Sequence, residues 1–432
     1  MKIISVVGAR PNFMKIAPFI NSIHEVNTAS SPLLGGDAGV RPAGRPAEGV
    51  KSIHEMAGDD NLSGNSTEGG QQATSNQQQI VHLLVHTGQH YDDRMSRAFF
   101  ESLGIPEADI NLGIGSGTHA EQVGNTMMAF EKVCLAEKPD WVVVVGDVNA
   151  TLACSVTAKK LNIKVCHIEA GLRSGDMTMP EEINRLVTDR LSDLLLVPDK
   201  LSAENLRKEG VPEEKIKFVG NIMIDTLEAN REKASALQLT TIFSQNIASG
   251  CTLPYVIPGN GSYAVMTLHR PSNVDKKEVF EPLINFLLGE VSDDHPLIWP
   301  IHPRARKQLE KFGLMEKVIN HPGVILLEPV GYHEMLRLNM GARIMLTDSG
   351  GLQEECCVLG TPCLTLRWNT ERPVTLREHG GASVLVGNNV ERIRNEYKHT
   401  LAMERKPSRP ELWDGQTALR CVEAIVNAEV HS

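Results

Sequence analysis

One motif recurs along this chain and restricts its possible folds more than any other feature. It is a short apolar run rich in β-branched residues, then a polar cluster, then a helical pattern. It is plainest between Trp141 and Arg185. There the run 142–145 ends in Gly146, Asp147, Asn149 and Thr151, and a helical pattern fills 150–161. The next run, 163–168, ends in Glu169, Gly171, Arg173, Asp176, Glu181 and Glu182. Apolar runs of this length suit strands buried on both faces, and a helix between two of them makes a β–α–β crossover. The same form returns at 3–7, 80–86, 194–197, 216–219, 263–268, 297–301, 324–327, 343–346 and 363–366. Such a chain is an α/β protein with parallel sheets and helices on both faces.

At 432 residues the chain exceeds the roughly 250–300 that one core encloses. Two Rossmann-like domains facing each other across a cleft are therefore expected. Residues 1–219 would form the N-terminal one and 220–411 the C-terminal one, with Gly220-Asn221 as the hinge. A final helix, about 412–432, is free to pack back on the first domain. Within the first domain, about 27–79 is full of Gly, Ser, Asn, Gln, Pro and Ala and has no aromatic residue. It cannot bury enough apolar surface to offset its ordering entropy, so it reads as a surface insertion without fixed structure.

The net charge of −10, with 43 Lys and Arg against 53 Asp and Glu, argues against a nucleic-acid binder. The eight cysteines show no zinc spacing and sit mostly in apolar runs. Buried reduced thiols in a cytoplasmic protein are expected, with no metal site. The first apolar run is too short for a signal sequence, and no run reaches the length of a membrane span.

Two constellations carry chemistry. Asp147 and Glu169 follow adjacent strand-like runs, Glu181 follows shortly after, and His269 ends a run in the other half. Carboxylates that share a partly buried cleft have their pKa values pushed apart, which suits one as acid and one as base. Histidine can move a proton or meet a phosphate. The alternative is that Asp147 caps a helix and Glu169 pairs with Arg173. The second constellation is TDSGGLQEE, Thr347 to Glu355. A strand delivers Ser349, Gly350 and Gly351 to a helix start, where backbone N–H groups and the helix dipole attract anions. Glu355 stands where it could accept ribose hydroxyls, and Arg372 could neutralise phosphate. A plain capped helix is the alternative. Arg10 and Lys15 flank the first strand–helix turn, and Gln89, His90, Tyr91 and Arg94 crowd the end of another strand.

GARPNFMKIAP, GD-x5-A around Asp147, HIEAGLRSGD, MPEEINR, VGNIMIDTL, TLHRPSN, LTDSGGLQEE and TERPVT stand in this order. Together they resemble the non-hydrolysing UDP-N-acetylglucosamine 2-epimerases, along nearly the whole chain outside 27–79. The resemblance implies a GT-B-like fold, a homodimer, and interconversion of UDP-GlcNAc and UDP-ManNAc without a redox cofactor. UDP would be eliminated to leave 2-acetamidoglucal and then added back, with a product that feeds surface polysaccharide synthesis. It gives the acid/base work to Asp147, Glu169 and Glu181 and places His269 by the diphosphate. It gives UDP binding to Arg10, Lys15, Ser349, Gly350, Gly351, Glu355 and Arg372. Gln89, Arg270 and His302 resemble part of a regulatory UDP-GlcNAc pocket in some bacterial members.

Three features depart from the family's pattern. Gly146-Asp147-Val148-Asn149-Ala150-Thr151 replaces GDTTT. The link from Asp176 to Pro180 is short, which bears on how Glu181 is presented. Val330 and Met335 stand where some members carry Gln and Phe beside uracil. A related UDP-diacetamido sugar and a GT-B glycosyltransferase are the alternative readings.

Overall fold

The computed structural model describes residues 1–8, 10–29, 79–88 and 103–430, without the side chains of Arg10 and Pro11. Thirteen strands form two sheets, seven-stranded and six-stranded. The first contains β1 (Lys2–Val7), β2 (Val81–His86), β3 (Ile110–Asn111), β4 (Trp141–Val145), β5 (Lys164–Ile168), β6 (Leu194–Val197) and β7 (Ile216–Phe218). The second contains β8 (Ala264–Thr267), β9 (Leu297–Pro300), β10 (Val324–Leu327), β11 (Ile344–Thr347), β12 (Cys363–Thr365) and β13 (Ser383–Leu385). Every pairing within the sheets is parallel. The α/β architecture with two parallel sheets is the one the sequence predicts.

The strand orders are 3-2-1-4-5-6-7 and 10-9-8-11-12-13. In each sheet the direction of winding reverses once, between β1 and β4 in the first and between β8 and β11 in the second. Helices on the two sides of such a reversal leave for opposite faces, which opens a crevice at the strands' carboxyl ends. Most of the residues singled out by sequence follow these four strands and β5; Gln89, His302 and Arg372 follow β2, β9 and β12. β4 shows why the strands read so clearly: Trp141 and the four valines after it are at most 2% exposed.

The C-terminal helix, Thr417–Val430, returns to the first sheet. Ala418, Cys421, Val422 and Ile425 join one buried cluster with Ile16, Phe19 and Ile20 of the helix Arg10–Ala29. Asp225 accepts the N–H groups of Thr417 and Ala418 at 3.1 and 2.7 Å, which satisfies two donors at that helix start. Just before it, Trp413 is buried and its indole N–H donates to the Pro198 carbonyl at 2.9 Å. Gly220, at φ +96°, lets the chain pass: a Cβ there would lie 2.1 Å from the Leu412 carbonyl oxygen.

Several elements were not legible in the sequence. The stretch 227–262 holds the end of the helix Ile222–Ser235 and then a second helix, Leu239–Asn246, before β8. β3 and β13 are too short to show a period, at two and three residues, and the helix Val390–Leu401 is mostly polar, so its apolar face is faint in the sequence. The insertion at 27–79 lies outside the described residues except at its ends. There Asn27 donates to the Ile80 carbonyl at 2.8 Å and accepts the Ile80 N–H at 2.9 Å. The eight cysteines are free, and all but Cys251 are buried. Among the described residues no helix is long and apolar enough to cross a membrane.

Trp413→Ala should destabilise the fold by about 3–5 kcal/mol in urea unfolding, because it empties a large buried site and strands the Pro198 carbonyl. A loss below about 1 kcal/mol would show that the C-terminal segment is not part of the first core.

Candidate active site

Charged side chains from both halves gather at the crevice between the sheets. In the first half, β4 and β5 lie side by side with Val145 opposite Ile168, so the residues after them are neighbours. Asp147 is ion-paired with Arg185 and keeps 30% of its side chain exposed. It does not cap the following helix, whose start at Val148 has no side-chain cap. Glu169 is almost fully buried and ion-paired with Lys15, not with Arg173. Arg173 pairs instead with Asp189 and Glu209, each at 2.7 Å. Both bland readings of these carboxylates therefore fail. Glu169 also stands at φ +72°, and its Oε1 has no hydrogen-bond partner.

Glu181 is the second residue of the helix Pro180–Leu191 and is exposed. Its neighbour Glu182 is buried and does structural work. Its oxygens accept the N–H groups of Ser174 at 3.0 Å and Gly175 at 2.9 Å, and Arg185 Nε donates to it at 2.9 Å. The sequence could not say which of the two adjacent glutamates faces the crevice. Successive side chains on a helix point about 100° apart, and here Glu182 is buried while Glu181 is exposed.

In the second half, His269 follows β8 and its Nδ1 lies 2.8 Å from Asp348 Oδ1. Asp348 is fully buried and also accepts the N–H groups of His269 at 3.0 Å and Arg270 at 2.9 Å. His302 caps the helix Pro303–Phe312, and its ring centroid is 5.3 Å from that of His269. Burial first, and then His269, push His302 below its ordinary value. Arg270 is likewise lowered by burial and by Arg367, against the pull of Glu371, Asp348 and Glu181.

Ser349 stands at the start of the helix Gly350–Leu359, yet its side chain makes no capping bond. The hydroxyl is thus not consumed by the helix. Gly350 is crowded: a Cβ would lie 2.9 Å from Glu371 Oε1 and 3.0 Å from Arg372 Nη1. At Gly351 nothing lies within 4 Å of that position. One turn on, Glu355 is buried near Tyr332 and Asn339, and burial pushes its carboxyl up to about 7.

Arg372 joins the two halves. It pairs with Glu354 at 2.6 Å and Glu371 at 2.5 Å, and Asn221 Nδ2 donates to Glu354 at 2.8 Å. Burial alone would lower Arg372, but Glu354, Glu371, Glu169 and Asp147 together raise it well above its ordinary value. Two of those carboxylates come from each half. A phosphate would share Arg372 with carboxylates already there. At the rim, Asn369 Nδ2 reaches Asp176 at 3.5 Å.

The structure thus brings together Asp147, Glu169 and Lys15 from the first half and Arg372 from the second. Glu181, His269 and Arg270 line the same crevice. Gln89 and the Arg10 side chain lie outside the described residues. Arg185, Glu182, Glu354, Glu371 and Asp348 were given no role from sequence. Arg185, in MPEEINR, and Glu354, in QEE, sit beside assigned residues; what marks them is their partners, which only the fold supplies.

A family model described as UDP-N-acetylglucosamine 2-epimerase matches residues 72–426. The chain is 44% identical over 330 residues to the UDP-N-acetylglucosamine 2-epimerase of Methanococcus maripaludis, covering 76% of this chain and 87% of that one. It is 41% identical over 315 residues to the UDP-2,3-diacetamido-2,3-dideoxy-D-glucuronate 2-epimerase of Pseudomonas aeruginosa, covering 72% and 81%. Among solved structures it resembles the Methanocaldococcus jannaschii UDP-GlcNAc 2-epimerase in complex with UDP-GlcNAc and UDP. That likeness has a TM-score of 0.77 and 35% identity, and covers 99% of this chain and 100% of that one. Fold and crevice together define an α/β isomerase with two parallel sheets. The chain belongs to the UDP-N-acetylglucosamine 2-epimerase family.

Glu355 gives a pH test. Its folded carboxyl titrates near 7, against 4.5 unperturbed, so the folded state holds the proton more tightly. Its contribution is intact below about pH 4.5 and is lost as pH rises through about 7. Relative to wild type, Glu355→Gln should gain about 3 kcal/mol in urea unfolding between pH 4.5 and pH 8. A difference independent of pH would refute the raised carboxyl.

Proposed function

We propose that this chain interconverts UDP-N-acetylglucosamine and UDP-N-acetylmannosamine. The observation that carries the reading is the pairing of strand-end carboxylates Asp147 and Glu169 with a glycine-opened helix start and Arg372 across the crevice. The M. jannaschii relative, solved with UDP-GlcNAc and UDP, supports it. Ser349 and the N–H groups after it would hold the diphosphate, with Lys15 and Arg372 sharing its charge. Glu355 would accept ribose hydroxyls.

The reaction balances without electron transfer. A carboxylate removes the C2 proton, the freed electron pair forms a C1=C2 bond, and the C1–O bond breaks to release UDP. A second carboxyl group then returns a proton to the opposite face of C2, and a UDP oxygen attacks C1. Asp147 and Glu169 take these two roles, with Glu181 at the exposed side of the crevice. His269, oriented by Asp348, would stabilise the departing diphosphate. The product would feed surface polysaccharide synthesis.

A second reading is C2 epimerisation of a UDP-diacetamido-glucuronate, which the 41% identity to the P. aeruginosa enzyme favours. Both sugars should therefore be offered to the protein in D2O and followed by NMR. Solvent deuterium should enter C2 of the true substrate as its epimer accumulates. Free sugar and UDP as the only products would indicate hydrolysis instead, and no exchange with either would sink the reading.

Asp147→Asn should lower kcat by about 10²–10⁴-fold with KM changed only a few-fold, the range expected for a lost general acid or base. Full turnover by this variant would remove Asp147 from the chemistry.

A further inference from the structure

Behind the strand-end carboxylates lies a second charged cluster that the proton transfers do not use. His167 sits on β5, two residues before Glu169, and is fully buried. Its Nδ1 lies 2.6 Å from Asp189 Oδ1 and its Nε2 lies 2.9 Å from the Gly146 carbonyl oxygen. The Gly146 carbonyl can only accept, so Nε2 donates to it, and Nδ1 faces the Asp189 carboxylate. Asp189 has further partners. It also pairs with Arg173 at 2.7 Å and accepts the Gly171 N–H at 3.0 Å. Burial raises the Asp189 carboxyl, but His167 and Arg173 more than offset this and hold it below the usual range.

The element being held is Gly146. Its N–H donates to the Ile168 carbonyl at 3.1 Å, and its own carbonyl receives His167. It stands at φ +68°, and a Cβ there would lie 3.4 Å from Lys15 Nζ and 3.5 Å from Glu169 Oε2. Gly146 thus lies against the Lys15–Glu169 pair, and the next residue is Asp147. Glu169 needs support of its own. A side-chain-bearing residue at positive φ costs about 1–3 kcal/mol and persists only where its surroundings over-determine it. The His167 ring anchors the strand two residues before Glu169, and Asp189 anchors the Gly171 N–H two residues after it.

We infer that His167 is a positioning residue for proton transfer at C2, fixing Asp147 relative to Glu169 through the Gly146 carbonyl and Asp189. This rests on the epimerase reading. A displacement of about 1 Å between reacting groups costs about 10²-fold in rate.

Two variants separate the arms of the contact. In His167→Asn the amide can replace Nδ1 and keep Asp189 but not Gly146. In His167→Gln it can replace Nε2 and keep Gly146 but not Asp189. His167→Asn should lower kcat by about 10²-fold, with C2 deuterium incorporation falling in step and KM and UDP affinity within about threefold of wild type. His167→Gln should recover at least about tenfold of that loss. Wild-type turnover by His167→Asn, no recovery by His167→Gln, or an equal loss of UDP affinity would overturn the inference. If His167→Asn does not fold, His167→Gln decides alone. A kcat lowered by up to about tenfold with UDP affinity intact supports the inference, and either wild-type kcat or a deeper loss with UDP affinity intact overturns it. A wild type that exchanges no C2 proton sinks the epimerase reading and this inference with it. An active wild type with unaffected variants sinks this inference alone.

Discussion

A buried guanidinium must be matched, and Arg372 is matched by carboxylates from both halves of the chain. Glu354 and Glu371 touch it, while Glu169 and Asp147 act on it from the other sheet. Leaving any one of these charges buried without its partners would cost several kcal/mol, far more than an exposed pair is worth. The two sheets are thus tied at the point where both reverse their winding. The same charges that close the crevice would bind a diphosphate and move a proton. Binding a dianion there is an exchange of carboxylate partners for phosphate partners.

Much of this was legible in the sequence because the signals were backbone signals. The five residues of β4 are all buried, and no alternating strand or amphipathic helix reads that way. The reversal points also follow from chain order once each run is recognised as a parallel strand. That is why Asp147, Glu169, Ser349 and Gly350 could be named from the sequence. What stayed hidden depended on rotation and partnership. Glu181 and Glu182 differ by one residue and by everything else: one is exposed in the crevice, the other clamps the loop at Ser174 and Gly175. Arg372 read as a free phosphate ligand because its partners, Glu354 and Glu371, are seen only when the helix Gly350–Leu359 is in place. His167 read as one more member of an apolar run.

The short link between Asp176 and Pro180 looked like a weakness in the presentation of Glu181. The structure ties down the chain that leads into it. Glu182 holds the loop from below, and Asn369 meets Asp176 from the second half. A shorter link from a tied-down stretch presents its helix start more rigidly than a longer one, since fewer torsions remain to be frozen.

The clasp between Asn27 and Ile80 has a consequence for how the chain can vary. Its two hydrogen bonds hold the end of the first helix beside the start of β2, whatever length of chain runs between them. Closing a longer loop between fixed stems costs only about 0.6 kcal/mol for each doubling of its length. The first sheet therefore has little thermodynamic stake in the length of chain between these stems. By loop-closure entropy alone, sequence can be gained or lost between these two stems at small cost to the first sheet.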